Sequence, residues 1–170
     1  MPIPRSLSFG LAALVAASAA IVAPQAAVAA DAPADQLAVS VVGDGATTGN
    51  DAVPVAIQLL DGQGELGDTI ALPTTDAGDQ HAFTLGANRD QQGALQQSAD
   101  HRYVTLGGYD AAPGSGSLND TAAPDTLRVI ARIGSEGDVD TATTLAGGFS
   151  LRHIRGTATV DGTRYWAGGH

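Results

Sequence analysis

Val55-Ala56-Ile57-Gln58-Leu59-Leu60-Asp61-Gly62-Gln63-Gly64-Glu65-Leu66 decides how this chain is read, because it returns later as Arg128-Val129-Ile130-Ala131-Arg132-Ile133-Gly134-Ser135-Glu136-Gly137-Asp138-Val139. Each copy is a short apolar run, a Gly-marked turn and the start of a second run. Asp-Gly between apolar runs favours a hairpin, since both residues tolerate positive φ. A second pair of stretches lines up in the same order. Ser98-Ala99-Asp100-His101-Arg102-Tyr103 corresponds to Thr159-Val160-Asp161-Gly162-Thr163-Arg164-Tyr165 with one residue inserted. Tandem units of this kind need neighbours to bury their apolar faces.

The strands predicted from the pattern are short and separated by Gly, Asp, Pro and Thr clusters, which is an all-β signature. The first unit, about residues 53–108, reads as strands over Val53–Leu60, Gly67–Leu72, Ala94–Ser98 and Arg102–Leu106, closed by Gly107-Gly108. The second, about 127–169, reads as Leu127–Ile133, Val139–Leu145, Ile154–Val160 and Thr163–Ala167. Leu37–Val42 is an extra strand. The first hairpins are offset by 73 residues and the second by 62. The difference falls in the long Pro73–Gly93 loop, where added length costs little closure entropy. Four antiparallel strands per unit fit blades of a partial β-propeller, two blades plus one extra strand. A β-sandwich is the alternative.

Val42-Gly43-Asp44-Gly45, Thr69-Ile70-Ala71-Leu72-Pro73-Thr74, Gly107-Gly108-Tyr109-Asp110-Ala111-Ala112-Pro113-Gly114 and Arg128-Val129-Ile130-Ala131-Arg132 together resemble the N-terminal part of a group of secreted bacterial β-propeller-like proteins of unknown function. The resemblance spans most of residues 37–169. It implies further blades after the aromatic pair Tyr165-Trp166, and hence that this chain is a fragment or a split reading frame. It brings no catalytic residue with it.

Residues 1–30 read as a cleavable signal peptide. Arg5 precedes a mostly apolar run from Leu7 to Val22, Pro24 breaks it, and Ala27-Val28-Ala29-Ala30 offers small residues for cleavage. The run is short against the roughly 20 residues of a spanning helix. Residues 31–170 are then the folded region, and the expected location is extracellular or at the cell surface. Without cysteine, that region is held by burial and backbone pairing. Once Arg5 is gone, seven arginines face eighteen acids, a formal charge of −11. Such a surface disfavours nucleic acid and anionic membranes. Open strand edges predict self-association.

No residue set amounts to a chemical signature, so no catalytic, cofactor or metal residue is assigned. Ser98, Asp100 and His101 lie together, but turn chemistry accounts for them, and the second unit has Gly162 where His101 stands. The Gly-x-Ser-x-Gly elbow of serine hydrolases does not occur, and Gly114-Ser115-Gly116-Ser117 has the composition of a flexible linker. Asp76, Asp79 and His81 in the long loop, and Asp138 with Asp140, are potential metal donors that read as solvated turn acids. Tyr103, Tyr165 and Trp166 would stack on sugars if exposed; their recurrence after the Asp turn argues for packing. Arg152, His153 and Arg155 carry no pattern. A secreted, non-enzymatic binding or surface module is the expected function. The alternative is part of an extracellular hydrolase or lyase whose site needs further blades.

Overall fold

The computed structural model describes residues 36–47, 49–88 and 91–170. The signal peptide read over residues 1–30 lies outside the described residues. The chain is all-β and antiparallel. Its strands are β1 (Leu37–Val42), β2 (Ala52–Leu60), β3 (Leu66–Ala71), β4 (Thr84–Gly86), β5 (Gln96–Gln97), β6 (Tyr103–Tyr109), β7 (Arg128–Gly134), β8 (Val139–Leu145), β9 (Ile154–Thr159) and β10 (Tyr165–Gly169). A 3-10 turn spans Leu118–Asp120.

The two aligned hairpins, β2–β3 and β7–β8, turn in the same way. Asp61 N–H donates to the Glu65 carbonyl at 3.0 Å and Gly64 N–H to the Asp61 carbonyl at 2.9 Å. At the aligned positions, Gly134 N–H donates to the Asp138 carbonyl at 2.9 Å and Gly137 N–H to the Gly134 carbonyl at 3.0 Å. Gly64 and Gly137 sit at φ +82° and +84°, a left-handed conformation that costs L-residues with a Cβ about 1–2 kcal/mol. Both hairpins also slip register just before the turn, between Gln58 and Leu60 and between Ile130 and Arg132.

The sheets are not the two separate four-stranded units expected. One sheet runs β1-β2-β4-β6-β7-β8, with β3 also on β2 and β5 also on β6, and β9–β10 forms a second, two-stranded sheet. Two misread segments account for the difference. Phe83-Thr84-Leu85 lay inside the supposed long loop, yet β4 pairs with Ala52–Pro54 of β2 and, through Thr84, with Tyr109 of β6. Gly107-Gly108 does not close a unit but lies inside β6, which pairs with β7 from Tyr103↔Gly134 to Tyr109↔Arg128. The last strand of one unit therefore pairs directly with the first strand of the next.

Glycine at 107 and 108 lets both faces of β6 be covered closely. A methyl at Gly107 would come within 2.6 Å of Ile154 of β9, and one at Gly108 would overlap the Phe83 ring. Successive side chains point to opposite faces, so β9 lies on one face of β6 and Phe83 on the other. The core gathers Val55, Ile57, Phe83, Leu85, Leu106, Val129, Ile130 and Ile154, each 2% exposed or less. Burying such a side chain contributes about 1.5–3 kcal/mol.

Candidate functional site

The two Asp turns lie against each other. Ala99 and Asp100 N–H groups donate to the carbonyls of Thr159 and Val160 at 3.2 and 3.0 Å. In the first turn, Ser98 Oγ donates to Asp100 Oδ1 at 2.6 Å and accepts from Tyr103 N–H at 3.0 Å. In the second, Thr159 Oγ1 donates to the Arg164 carbonyl at 2.7 Å and accepts from Gly162 N–H at 2.9 Å. Asp161 Oδ1 accepts from both the N–H and the hydroxyl of Thr163. The Ser98 hydrogen bond holds the Asp100 carboxyl below its ordinary range, and the Thr163 hydroxyl does the same for Asp161. His101 Nδ1 pairs with Gln97 Oε1 at 3.0 Å. Ser98 thus gives its proton to a carboxylate, and the trio is a turn rather than a nucleophile with its base.

Tyr103 and Tyr165 are half-buried on this assembly. The Arg132 guanidinium lies 4.8 Å from the Tyr103 ring centre. It also donates to the Gly162 carbonyl at 3.3 Å and to Asp140 Oδ2 at 2.8 Å. Tyr165 Oη donates to the same Gly162 carbonyl at 2.7 Å, and burial pushes its phenol up from the ordinary value. Asp140 is therefore a salt-bridge partner. Its neighbour Asp138 is exposed at the β7–β8 turn.

Trp166 departs from the packing expectation. It is 58% exposed and points away from Tyr165, as alternation along β10 requires. It stands opposite Ala158, and Gly168 stands opposite Gly156. A methyl at either glycine would meet nothing within 4 Å. The outward face of β9–β10 thus presents the small residues Gly156, Ala158 and Gly168 beside an indole. Together with Gln96 it lines an open groove of about 370 Å³. Gly156, inside the strand read over Ile154–Val160, and Gly168, just past the one read over Thr163–Ala167, were the sequence signal for this surface.

The long loop brings two of its three potential donors together and adds one from elsewhere. Asp76, His81 and Asp110 place one ligand atom each within 4.8 Å of one another; Asp79 is outside the group. His81 Nδ1 is 2.9 Å from Asp110 Oδ2, and Asp76 Oδ1 accepts the Ala82 N–H at 2.9 Å. Burial, then the Asp76 charge, pushes the Asp110 carboxyl above its ordinary value, against the hydrogen bond from His81. Asp110 follows the last residue of β6 and lies 29 positions from His81, so spacing within the loop gave no hint of it.

β1 forms an edge of the larger sheet and turns Leu37, Val39 and Val41 outward at 62%, 40% and 42% exposure. Among the described residues no helix is long and apolar enough to cross a membrane. Comparison with family models, with curated proteins and with solved structures finds no match for this chain.

Proposed function

We propose that the protein is a secreted, non-enzymatic carbohydrate-binding module whose ligand lies on the outward face of β9–β10. The exposed Trp166 beside the small residues Gly156, Ala158 and Gly168 carries this reading. An aromatic ring presented beside small residues on a strand pair accepts the apolar face of a pyranose, while an amide such as that of Gln96 suits its hydroxyls. The signal-like N-terminus and the resemblance to secreted β-propeller-like proteins support the extracellular setting. Of the two architectures considered, the continuous sheet with β9 laid on β6 favours the sandwich over separate blades. Self-association is proposed through the β1 edge, where unpaired backbone and outward Leu37, Val39 and Val41 coincide.

Trp166 is the chain's only tryptophan, so intrinsic fluorescence reports on the groove directly. Titration with a panel of soluble neutral and charged oligosaccharides is expected to give a saturable change in emission for at least one of them. Calorimetry with that ligand should lose its heat in Trp166→Ala. No saturable response across the panel, or equal binding by the variant, would overturn the proposal.

A further inference from the structure

We propose that Asp76, His81 and Asp110 form a binding site for a divalent transition-metal ion, with zinc the best chemical match. The inference is independent of the β9–β10 groove. The donor set mixes one imidazole with two carboxylates, a combination suited to zinc or manganese rather than to the all-oxygen shells of calcium. His81 Nδ1 and Asp110 Oδ2 are 2.9 Å apart and hydrogen-bonded, so the pair has to open by about 0.5 Å to reach the roughly 3.4 Å between ligands of a tetrahedral ion with bonds of about 2.1 Å. The third donor, an Asp76 carboxylate oxygen, lies within 4.8 Å of the other two.

A second observation concerns charge. Asp76 is exposed and Asp110 half-buried, and the chain has no lysine to neutralise either. Among the described residues no arginine pairs with either acid; the ion pairs are His81–Asp110 and Arg132–Asp140. A divalent cation supplies the missing positive charge and takes the same three atoms as ligands.

The loop that presents two of the donors is fixed from outside the site. Ala77 and Gln80 exchange backbone hydrogen bonds of 2.9 and 3.0 Å, and Phe83 N–H donates to the Pro73 carbonyl at 2.7 Å. Gln80 Oε1 accepts the Thr141 N–H at 2.5 Å, and Thr141 Oγ1 donates to the His81 carbonyl at 2.8 Å. These contacts tie the loop to β8. A bound ion would add a link from the loop to the end of β6.

The test is calorimetric titration of the full chain, made without a polyhistidine tag and stripped with chelator, using zinc chloride, manganese chloride and calcium chloride. The expected result is one zinc per chain, saturable, with calcium at least tenfold weaker. His81→Ala should abolish the stoichiometric site and Asp110→Asn weaken it at least tenfold. Asp79→Asn, in the same loop but outside the triad, should bind as the parent does. Circular dichroism melts of each stripped variant establish that it is folded. Asp110→Asn keeps size and hydrogen bonding, so it serves if His81→Ala does not fold. Absence of a one-to-one zinc or manganese site in the parent overturns the proposal. So does parental affinity in a folded triad variant, or equal loss in Asp79→Asn.

Discussion

Thr105 of β6 and Thr157 of β9 share a buried hydrogen bond, Oγ1 to Oγ1, of 2.9 Å, and through it the small sheet is seated on the large one. One hydroxyl donates and the other accepts, and Thr105 has a further contact of 3.4 Å to the Gln96 carbonyl. Replacing Thr157 by Val removes the donor and leaves the Thr105 oxygen short of a partner. The expected loss is about 1–2 kcal/mol, read as a shift in the urea midpoint. The double variant with Thr105→Val should recover part of it, because neither side then leaves a stranded polar group.

Gly108→Ala is expected to destabilise by about 1–3 kcal/mol through overpacking. The added methyl overlaps the Phe83 ring, which is itself 0% exposed and cannot swing into solvent. Thermal melts of Gly108→Ala alone and combined with Phe83→Leu check the cause: the smaller partner should lessen the penalty. Gly156→Ala, with open space above it, should leave the melting temperature nearly unchanged.

Arg128 is 0% exposed and has three carbonyl partners rather than an acid: Thr126 at 2.6 Å, Thr121 at 3.0 Å and Arg152 at 3.1 Å. It also lies 5.0 Å from the Tyr109 ring centre. Arg128→Met keeps the length but strands those carbonyls, and should cost about 2–3 kcal/mol in equilibrium unfolding. Arg128→Lys should cost nearly as much, since one ammonium cannot replace the planar fork.

Among the residues of the doubled motif, His101 and Gly162 occupy matching places and share the left-handed conformation, at φ +61° and +77°. Histidine is strained there. His101→Gly is expected to stabilise by about 0.5–1 kcal/mol, the gain in backbone strain being partly offset by the entropy of glycine in the unfolded chain. A rise in melting temperature checks it.

Acid sensitivity should follow the two turn aspartates. Their folded-state pKa values lie below the ordinary 3.8. Their contribution is therefore complete above that value and is lost as pH falls through the lower folded-state values. Urea midpoints between about pH 2 and pH 6 should fall less steeply in the Asp100→Asn, Asp161→Asn double variant than in the parent.

The strand inventory was largely legible. Leu37–Val42 and Val139–Leu145 match the structure residue for residue, and the aligned hairpins were visible as a repeat with Gly-marked turns, where Gly64 and Gly137 take the left-handed conformation. Pairing was less legible. β4 has three residues, too few for alternation to show, and it is the strand that inserts between β2 and β6. Gly107 and Gly108 looked like punctuation because glycine serves turns and close packing alike, and sequence does not tell which. For the sites, Trp166 was grouped with Tyr165 although neighbours on a strand face opposite ways. The Asp76–His81–Asp110 cluster was half visible: the loop pair was noticed, but Asp110 reaches it only through the fold.

The seven-residue pairing of β6 with β7 has a kinetic side. Much of the core joins segments far apart in the chain, and Gly107 meets Ile154 near the end of it. High contact order of this sort puts a small β domain in the millisecond-to-second range of folding times. An emerging polypeptide cannot complete this core until β9 has left the ribosome, so the nascent first half stays open while it is being made. A chain that folds this late remains available to any machinery that handles only unfolded polypeptide, and it keeps its unpaired strands exposed for the same interval.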